Sequence, residues 1–421
     1  MIQNRWRTLW GNRYIIQIAT LMSGTLMAQV IMLGFIPILT RLYTPSEFGL
    51  YSLFLSIASM LSMVSSWRYD QAIMLPKSDR DAQALVFLSI LITLGTAVVV
   101  SLILWLFYDR FLNYFSGYAY LIYLLPFAVV ILGLIQIFDA YSTRQQFYKK
   151  IATTKVSAAM ISVSFQSSVR YFGGFNGLVI GKLLAEGVSL VMLLRFHLRK
   201  QTLQLRNFSE RRIRANMKRH EDFPKYQSSA TLLNSFSQNM PILLFSSLFS
   251  PAVVGFYTLT YRVLQAPVML IAGTTRSVYY QRASKHYANG ESIYPLYKKT
   301  TLGLMKLFAI PFLVVVLFGE EIFVFAFGER WATSGVIAEI TILMFLFSFI
   351  SPPSVVSFNI LNLQKVYLKF QVAILVMRAV AIWLGYYLFH SYLISIFLFV
   401  LVGVVHNIVF MAYIRDKIKQ G

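Results

Sequence analysis

The sequence predicts an all-α integral membrane protein of about twelve transmembrane helices, arranged as two parallel six-helix repeats around a central cavity. Three observations predict it. Hydrophobic residues make up 57% of the 421-residue chain and charged residues only 13%, whereas a soluble domain carries roughly 25% charged residues. The apolar residues fall into runs close to the ~20 residues that cross a bilayer. The basic residues collect between alternate runs, as they do in cytoplasmic loops.

Twelve runs can be drawn. Six lie at 15–39, 48–67, 84–107, 118–138, 156–172 and 177–196, and six more at 227–249, 253–275, 302–323, 335–358, 371–390 and 392–414. The organisation read from them is an N-terminal bundle over 1–196, a basic cytoplasmic linker over 197–226 and a C-terminal bundle over 227–421. The first run follows a basic stretch, 1–13. It is too long for a signal-peptide core, shows no small-residue cleavage pattern, and reads as a retained span.

With the N-terminus cytoplasmic, thirty of the 38 lysines and arginines fall on the inner side, including Arg5, Arg7, Arg13, ten from Arg195 to Lys225, and Arg415, Lys417 and Lys419. The outer side holds Arg41, Arg110, Arg170 and Arg330. That asymmetry predicts cytoplasmic N- and C-termini and an even number of spans.

The halves echo each other. Thr44-Pro45-Ser46-Glu47-Phe48-Gly49-Leu50-Tyr51-Ser52-Leu53 precedes Arg68, and Ser250-Pro251-Ala252-Val253-Val254-Gly255-Phe256-Tyr257-Thr258-Leu259 precedes Arg276. Pro, Gly, Tyr and Leu are in register, so Pro45 and Pro251 are expected to be equivalent. Both copies start on the same side, which predicts parallel repeats and a site opened alternately as the halves rock.

Most catalytic chemistry is missing, and no enzyme is expected. There is no Walker loop, Gly-x-Ser-x-Gly or His-Glu-x-x-His motif. No cysteine is present, which removes thiol nucleophiles and Cys-ligated metals. The five histidines are scattered singly. No metal site and no cofactor are predicted. The net charge of +22 lacks any accompanying RNA-binding or zinc-finger motif, so no nucleic-acid partner is expected. Asp79-Arg80-Asp81 matches the Asp-x-Asp of some glycosyltransferases, but in a short basic loop it reads as a solvated loop or an inner-gate contact.

The charges inside the runs are the informative residues, because a buried lysine or arginine costs about 2.5–3.5 kcal/mol at mid-bilayer and faces a cavity or a partner. Arg262 is nine residues into the eighth run, roughly 13 Å deep at 1.5 Å per residue. Thr258 and Gln265 lie on its face, and no acid is one turn away. Asn234 and Gln238 in the seventh run and Gln29 in the first are candidate polar lining. Arg378, in the eleventh run, also has no acid at helical spacing. Lys182 has Glu186 one turn on, and is either a structural pair or a site. Lys306 either snorkels or contributes to binding. Arg68, with Asp70, is either an interfacial anchor or a contact. Counted against Glu186 and Glu339, the in-span charges lean positive and suit an anionic passenger, arginine suiting phosphate in particular. The basic linker is expected to hold membrane lipids at their anionic headgroups.

With two six-span halves, the segment Thr40-Arg41-Leu42-Tyr43-Thr44-Pro45-Ser46-Glu47-Phe48-Gly49-Leu50-Tyr51 and the following Trp67-Arg68-Tyr69-Asp70-Gln71-Ala72-Ile73, the chain resembles the Wzx-type polysaccharide and O-antigen flippases of the multidrug/oligosaccharidyl-lipid/polysaccharide exporter superfamily. The resemblance implies translocation of an undecaprenyl-diphosphate-linked oligosaccharide across a bacterial inner membrane, for O-antigen, capsule or exopolysaccharide synthesis. It implies a polysaccharide polymerase and a chain-length regulator as partners. Arg262 matches by position an arginine that the lipid II branch uses in its cavity. That branch also carries charges in its first span, where 24–39 here has none, so lipid II is not the expected passenger. Two rival readings stand beside it: export of drugs or metabolites by the same fold, and a membrane polymerase or glycosyltransferase. Against the last, polymerases of this pathway tend to carry a large outer loop, and the longest outer connection here, about 108–117, is short.

Overall fold

The computed structural model describes residues 13–115, 118–170, 177–204 and 209–420. Arg5, Arg7 and Arg206, counted above on the inner side, and Phe172, the expected end of the fifth run, lie outside the described residues. Among the described residues there is no strand, and twelve helices have 19 or more residues. They are α1 (Arg13–Gly34), α2 (Pro45–Val64), α3 (Asp79–Leu106), α4 (Ala119–Arg144), α5 (Tyr148–Val169) and α6 (Gly177–Arg199), then α7 (Ser228–Leu248), α8 (Pro251–Ala288), α9 (Tyr294–Phe327), α10 (Ala332–Ile350), α11 (Gln364–Phe389) and α12 (Tyr392–Gln420). Each answers to one predicted run.

Among the described residues, nine spans are long and apolar enough to cross a membrane by length and composition. The other three long helices, α5, α7 and α8, are where Gln166, Asn234, Gln238, Arg262 and Gln265 interrupt the apolar pattern. Helix ends differ from the expectation. α8 runs on to Ala288, because 276–288 holds no proline or glycine to stop it, so Arg276, Arg282 and Lys285 ride on one continuous helix. α5 starts at Tyr148 and takes Lys149, Lys150 and Lys155 onto its first turns. The tenth run is two helices, α10 and Pro352–Ile360, separated at Ser351. Prolines 352 and 353 explain the break, since neither can donate to the preceding turn.

The linker is not uniformly extended. α6 carries His197 through Arg199 as its last turn. Glu210–Arg219 is a separate helix that buries Ile213 and Asn216 and leaves its arginines and lysine outward. Asn216 Nδ2 lies 3.4 Å from Asp81 Oδ1, and Tyr69 Oη donates to Met217 O at 3.1 Å. The linker helix is therefore folded onto α3 of the first unit.

The chain forms two compact units: Met1–Tyr43 with Leu50–Asn239, and Thr44–Gly49 with Met240–Gly421. In the first, α1 packs on α5, α5 on α6, α3 on α4, and α4 on α6. Small residues permit the closest of these approaches: a Cβ on Gly24 would lie 2.4 Å from Ala152 Cβ. In the second, α9 packs on α10, α11 on α12, and α10 on α8 and α12. Third with fourth, fourth with sixth and fifth with sixth is thus a pairing common to both halves.

The start of α2 belongs to the second unit. Thr44 and Glu47 form a reciprocal cap: Thr44 N donates to Glu47 Oε2 at 2.7 Å and Glu47 N to Thr44 Oγ1 at 3.3 Å. This is the physical content of the Thr-Pro-Ser-Glu motif, a capping box with proline in the first turn. Within this unit the α2 start crosses the α8 start at backbone distance. A Cβ on Gly49 would lie 1.7 Å from Pro251 O, and a Cβ on Gly255 would lie 1.9 Å from Pro45 O. The two copies of the repeated motif meet each other, Pro against Gly and Gly against Pro. Phe48 and Phe256 both pack edge-on to Trp331, at 5.0 and 6.1 Å, and Trp331 is fully buried.

Candidate functional site

In the second unit, Arg378 points into helix-packed surroundings and makes no salt bridge among the described residues. Its guanidinium sits 4.8 Å from the centre of the Phe399 ring, and Nη2 is 3.4 Å from Met344 Sδ. Nε is buried and has no hydrogen-bond partner. Gly403 makes the room, since a Cβ there would come within 2.8 Å of Nη2. Tyr257 and Tyr261, one turn apart on α8, stack at 5.9 Å and lie in the neighbourhood of Arg378. A π face over the cation contributes about 2 kcal/mol when desolvated, less than the several kcal/mol that removing a lone ion from water costs. Arg378 is therefore a half-buried cation with an aromatic face beside it.

Arg262 is half-buried next to Tyr261 on the same helix. The polar neighbours expected on its face are directed elsewhere. Thr258 Oγ1 donates to Val254 O at 2.7 Å, and Gln265 Nε2 to Tyr261 Oη at 3.2 Å. Gln265 thus joins the tyrosine pair, so that Tyr257, Tyr261 and Gln265 follow one another at every fourth residue of α8. Lys306 is on an exposed face of α9. Glu339, the acid counted against these cations, accepts from the Glu320 backbone N–H at 2.9 Å. There it caps the turn after Phe318, where α9 is kinked.

In the first unit the charges balance. Lys182 Nζ meets Glu186 Oε1 one turn on along α6. Asp139, on α4, interacts electrostatically with Lys155 of α5 and with Glu186. Two lysines and two acids therefore share the region of α4, α5 and α6. Arg68 lies at a left-handed turn, φ 62°, with Nη1 on Met63 O at 3.2 Å and 3.8 Å from Asp70 Oδ2. It organises the α2–α3 connection. Asp79 is bound by Arg144 at 3.1 Å, so each aspartate of the Asp-x-Asp motif has a polar neighbour. Gln29, Asn234 and Gln238 are exposed.

Sequence reasoning missed Asp139, because the fourth run was ended at Phe138. It also missed the Arg378 surround. The available signal was the i, i+4 pair Tyr257 and Tyr261 in a helix otherwise short of aromatic repeats. His197, read as isolated, is fully buried, 2.8 Å from Ser142 Oγ and 2.9 Å from Thr202 Oγ1. It locks the end of α6 to α4. The first unit also has an apolar groove of about 690 Å³ along α4 and α6, lined by Phe127, Leu184 and Val188 and ending on Arg195.

A model of a family described as polysaccharide biosynthesis protein matches residues 38–336. A search of curated proteins finds no match. Among solved structures, an inward-facing multidrug resistance MATE family transporter of the MOP superfamily is similar at 13% identity and a TM-score of 0.65, over 95% of this chain and 94% of that one. The lipid II flippase MurJ in an inward closed conformation is similar at 11% identity and a TM-score of 0.71, over 93% and 86%. A MOP superfamily transporter from Pyrococcus furiosus, described as having a binding pocket of reversed polarity, is similar at 15% identity and a TM-score of 0.59, over 96% and 95%. At these identities the likeness is one of fold, the two-repeat helical fold of membrane transporters.

Proposed function

Because the chain belongs to the polysaccharide biosynthesis protein family, we propose that it flips undecaprenyl-diphosphate-linked oligosaccharide repeat units across a bacterial inner membrane by alternating access, with both termini cytoplasmic. The observation that carries it is Arg378 in its aromatic surround, a cation of the second unit that makes no salt bridge among the described residues. A diphosphate is the part of such a passenger that arginine recognises, through paired N–H donors. The groove along α4 and α6, apolar with Arg195 at one end, suits a polyprenyl chain with its charged end toward the basic side. The in-span cations argue against organic cations as passengers, since a buried positive site repels them.

The test is a leaflet-resolved assay of labelled lipid-linked oligosaccharide in a strain lacking this gene. Restoring the chain is expected to move label from the inner to the outer leaflet. Unchanged label distribution with the protein in the membrane at normal level would reject the reading. In the same assay Arg262→Ala is expected to lower translocation by about tenfold or more, the worth of one charge-assisted hydrogen bond, at normal membrane level. Lysine should rescue partly, keeping the charge and losing the fork, and glutamate should be no better than alanine. Wild-type rates for Arg262→Ala would make Arg262 a packing residue.

A further inference from the structure

A groove of about 320 Å³ lies between α9 and α12, with Phe347 of α10 in its wall. Lys298 and Arg415 line it, one from each helix, together with the hydroxyl-bearing Tyr294 and Thr301 and the apolar Ile408 and Met411. Lys419 sits 5.1 Å over the Tyr294 ring. Among the described residues, the acid that meets these cations is Asp416, whose Oδ1 takes the Arg415 Nε–H at 2.9 Å and leaves the two terminal nitrogens of the fork with donors to spare. Lys298 and Arg415 are both exposed, so they are held toward the groove mouth and not spent on a buried pair.

We propose that this groove binds one anionic phospholipid, its phosphate between Lys298 and Arg415 and the start of a chain along Ile408 and Met411. Basic pockets between membrane helices at a cytoplasmic face recognise anionic headgroups by this division of labour. The lining decides among occupants. It has hydroxyls and cations but no side-chain amide or carboxylate, the groups that hold a sugar by paired donors and acceptors. It is thus built for a phosphate and a chain, not for an oligosaccharide. Its excess of positive charge opposes the ammonium of a zwitterionic headgroup.

The experiment uses the purified full-length protein in detergent, with dioleoyl phosphatidylglycerol or phosphatidylcholine added back, and reads retained lipid by native mass spectrometry. Wild type is expected to retain phosphatidylglycerol at concentrations about tenfold lower than phosphatidylcholine, as one charge-assisted contact provides. Lys298→Ala/Arg415→Ala should lose the preference. Ala412→Trp, which keeps both charges and fills the groove, should lose it as well. Equal retention of the two lipids, or a preference that survives the double substitution, overturns the proposal. A preference that survives Ala412→Trp reduces it to a diffuse basic belt and overturns the groove. Undecaprenyl diphosphate displacing phosphatidylglycerol at equal concentration would make the passenger the occupant, and would overturn it too.

Discussion

Arg378→Met is expected to raise the melting temperature of the purified protein and to abolish translocation. Methionine has nearly the length of the arginine stem as far as Nε, and it exchanges the guanidinium contacts with Phe399 and Met344 for apolar packing. It removes a charge whose Nε has no hydrogen-bond partner. Replacing buried ionic groups with packed apolar ones stabilises proteins by about 1–4 kcal/mol, and that range sets the expected gain. Arg378→Lys should lower the melting temperature. An ammonium is a compact, strongly hydrated charge, and it cannot spread over the Phe399 face as the guanidinium does. Gly403→Ala tests the same site from the other side: its Cβ would crowd Nη2 at 2.8 Å, so it should displace the guanidinium while leaving the charge in place. Fluorescence-detected melting and the leaflet assay read the two properties separately. A fall in stability for Arg378→Met would show that the arginine is a structural tie. Normal translocation would remove it from the site.

The second large effect is expected at the α2–α8 crossing. Gly49→Leu should prevent accumulation of folded protein, and Gly49→Ala should lower the melting temperature sharply. The obstacle is a backbone carbonyl 1.7 Å from the added Cβ, not a side chain that can turn away, so the helices themselves must part. Forcing extra methylenes into a packed interface costs about 1–3 kcal/mol, and here there is no rotamer to absorb it. Gly255→Ala should behave alike, its Cβ meeting Pro45 O at 1.9 Å. Gly95, inside α3, is the control. Nothing lies within 4 Å of its Cβ position, so Gly95→Ala should stabilise by about 0.5–1 kcal/mol through helix propensity alone. Similar melting shifts for Gly49→Ala and Gly95→Ala would refute the close crossing.

The number and order of the long helices could be read from the chain because bilayer-length apolar runs depend on composition over many residues. Their ends could not, because they depend on single residues. α4 continues past Phe138 to Arg144, and with it Asp139 moves from a loop into the charge cluster of the first unit. Pairs within one helix were legible, as Lys182 and Glu186 show, since helical spacing brings i and i+4 together. Partners from different helices were not. Nothing in the local sequence of α11 announces that Phe399 and Met344 will flank Arg378, or that Arg144 will reach Asp79. The repeat motif was visible as a register of Pro and Gly. Its reason, two backbones in contact, needed both copies in three dimensions.

That contact has the form of an isologous interface. Gly49 meets Pro251 while Gly255 meets Pro45, so each copy of the motif presents the same two residues to the other. Identical subunits related by a two-fold axis make this kind of joint, and a head-to-tail contact does not. A single six-helix half bearing Pro-x-x-x-Gly would carry both faces of it and could pair with its own twin. In the fused chain the two faces have become separately mutable. Ser250 has no acid at the position of Glu47, since Val253 stands there, so the helix cap is present in one copy while the proline and glycine are present in both. The residues that make the crossing, Pro45 with Gly255 and Pro251 with Gly49, are among those the two copies share.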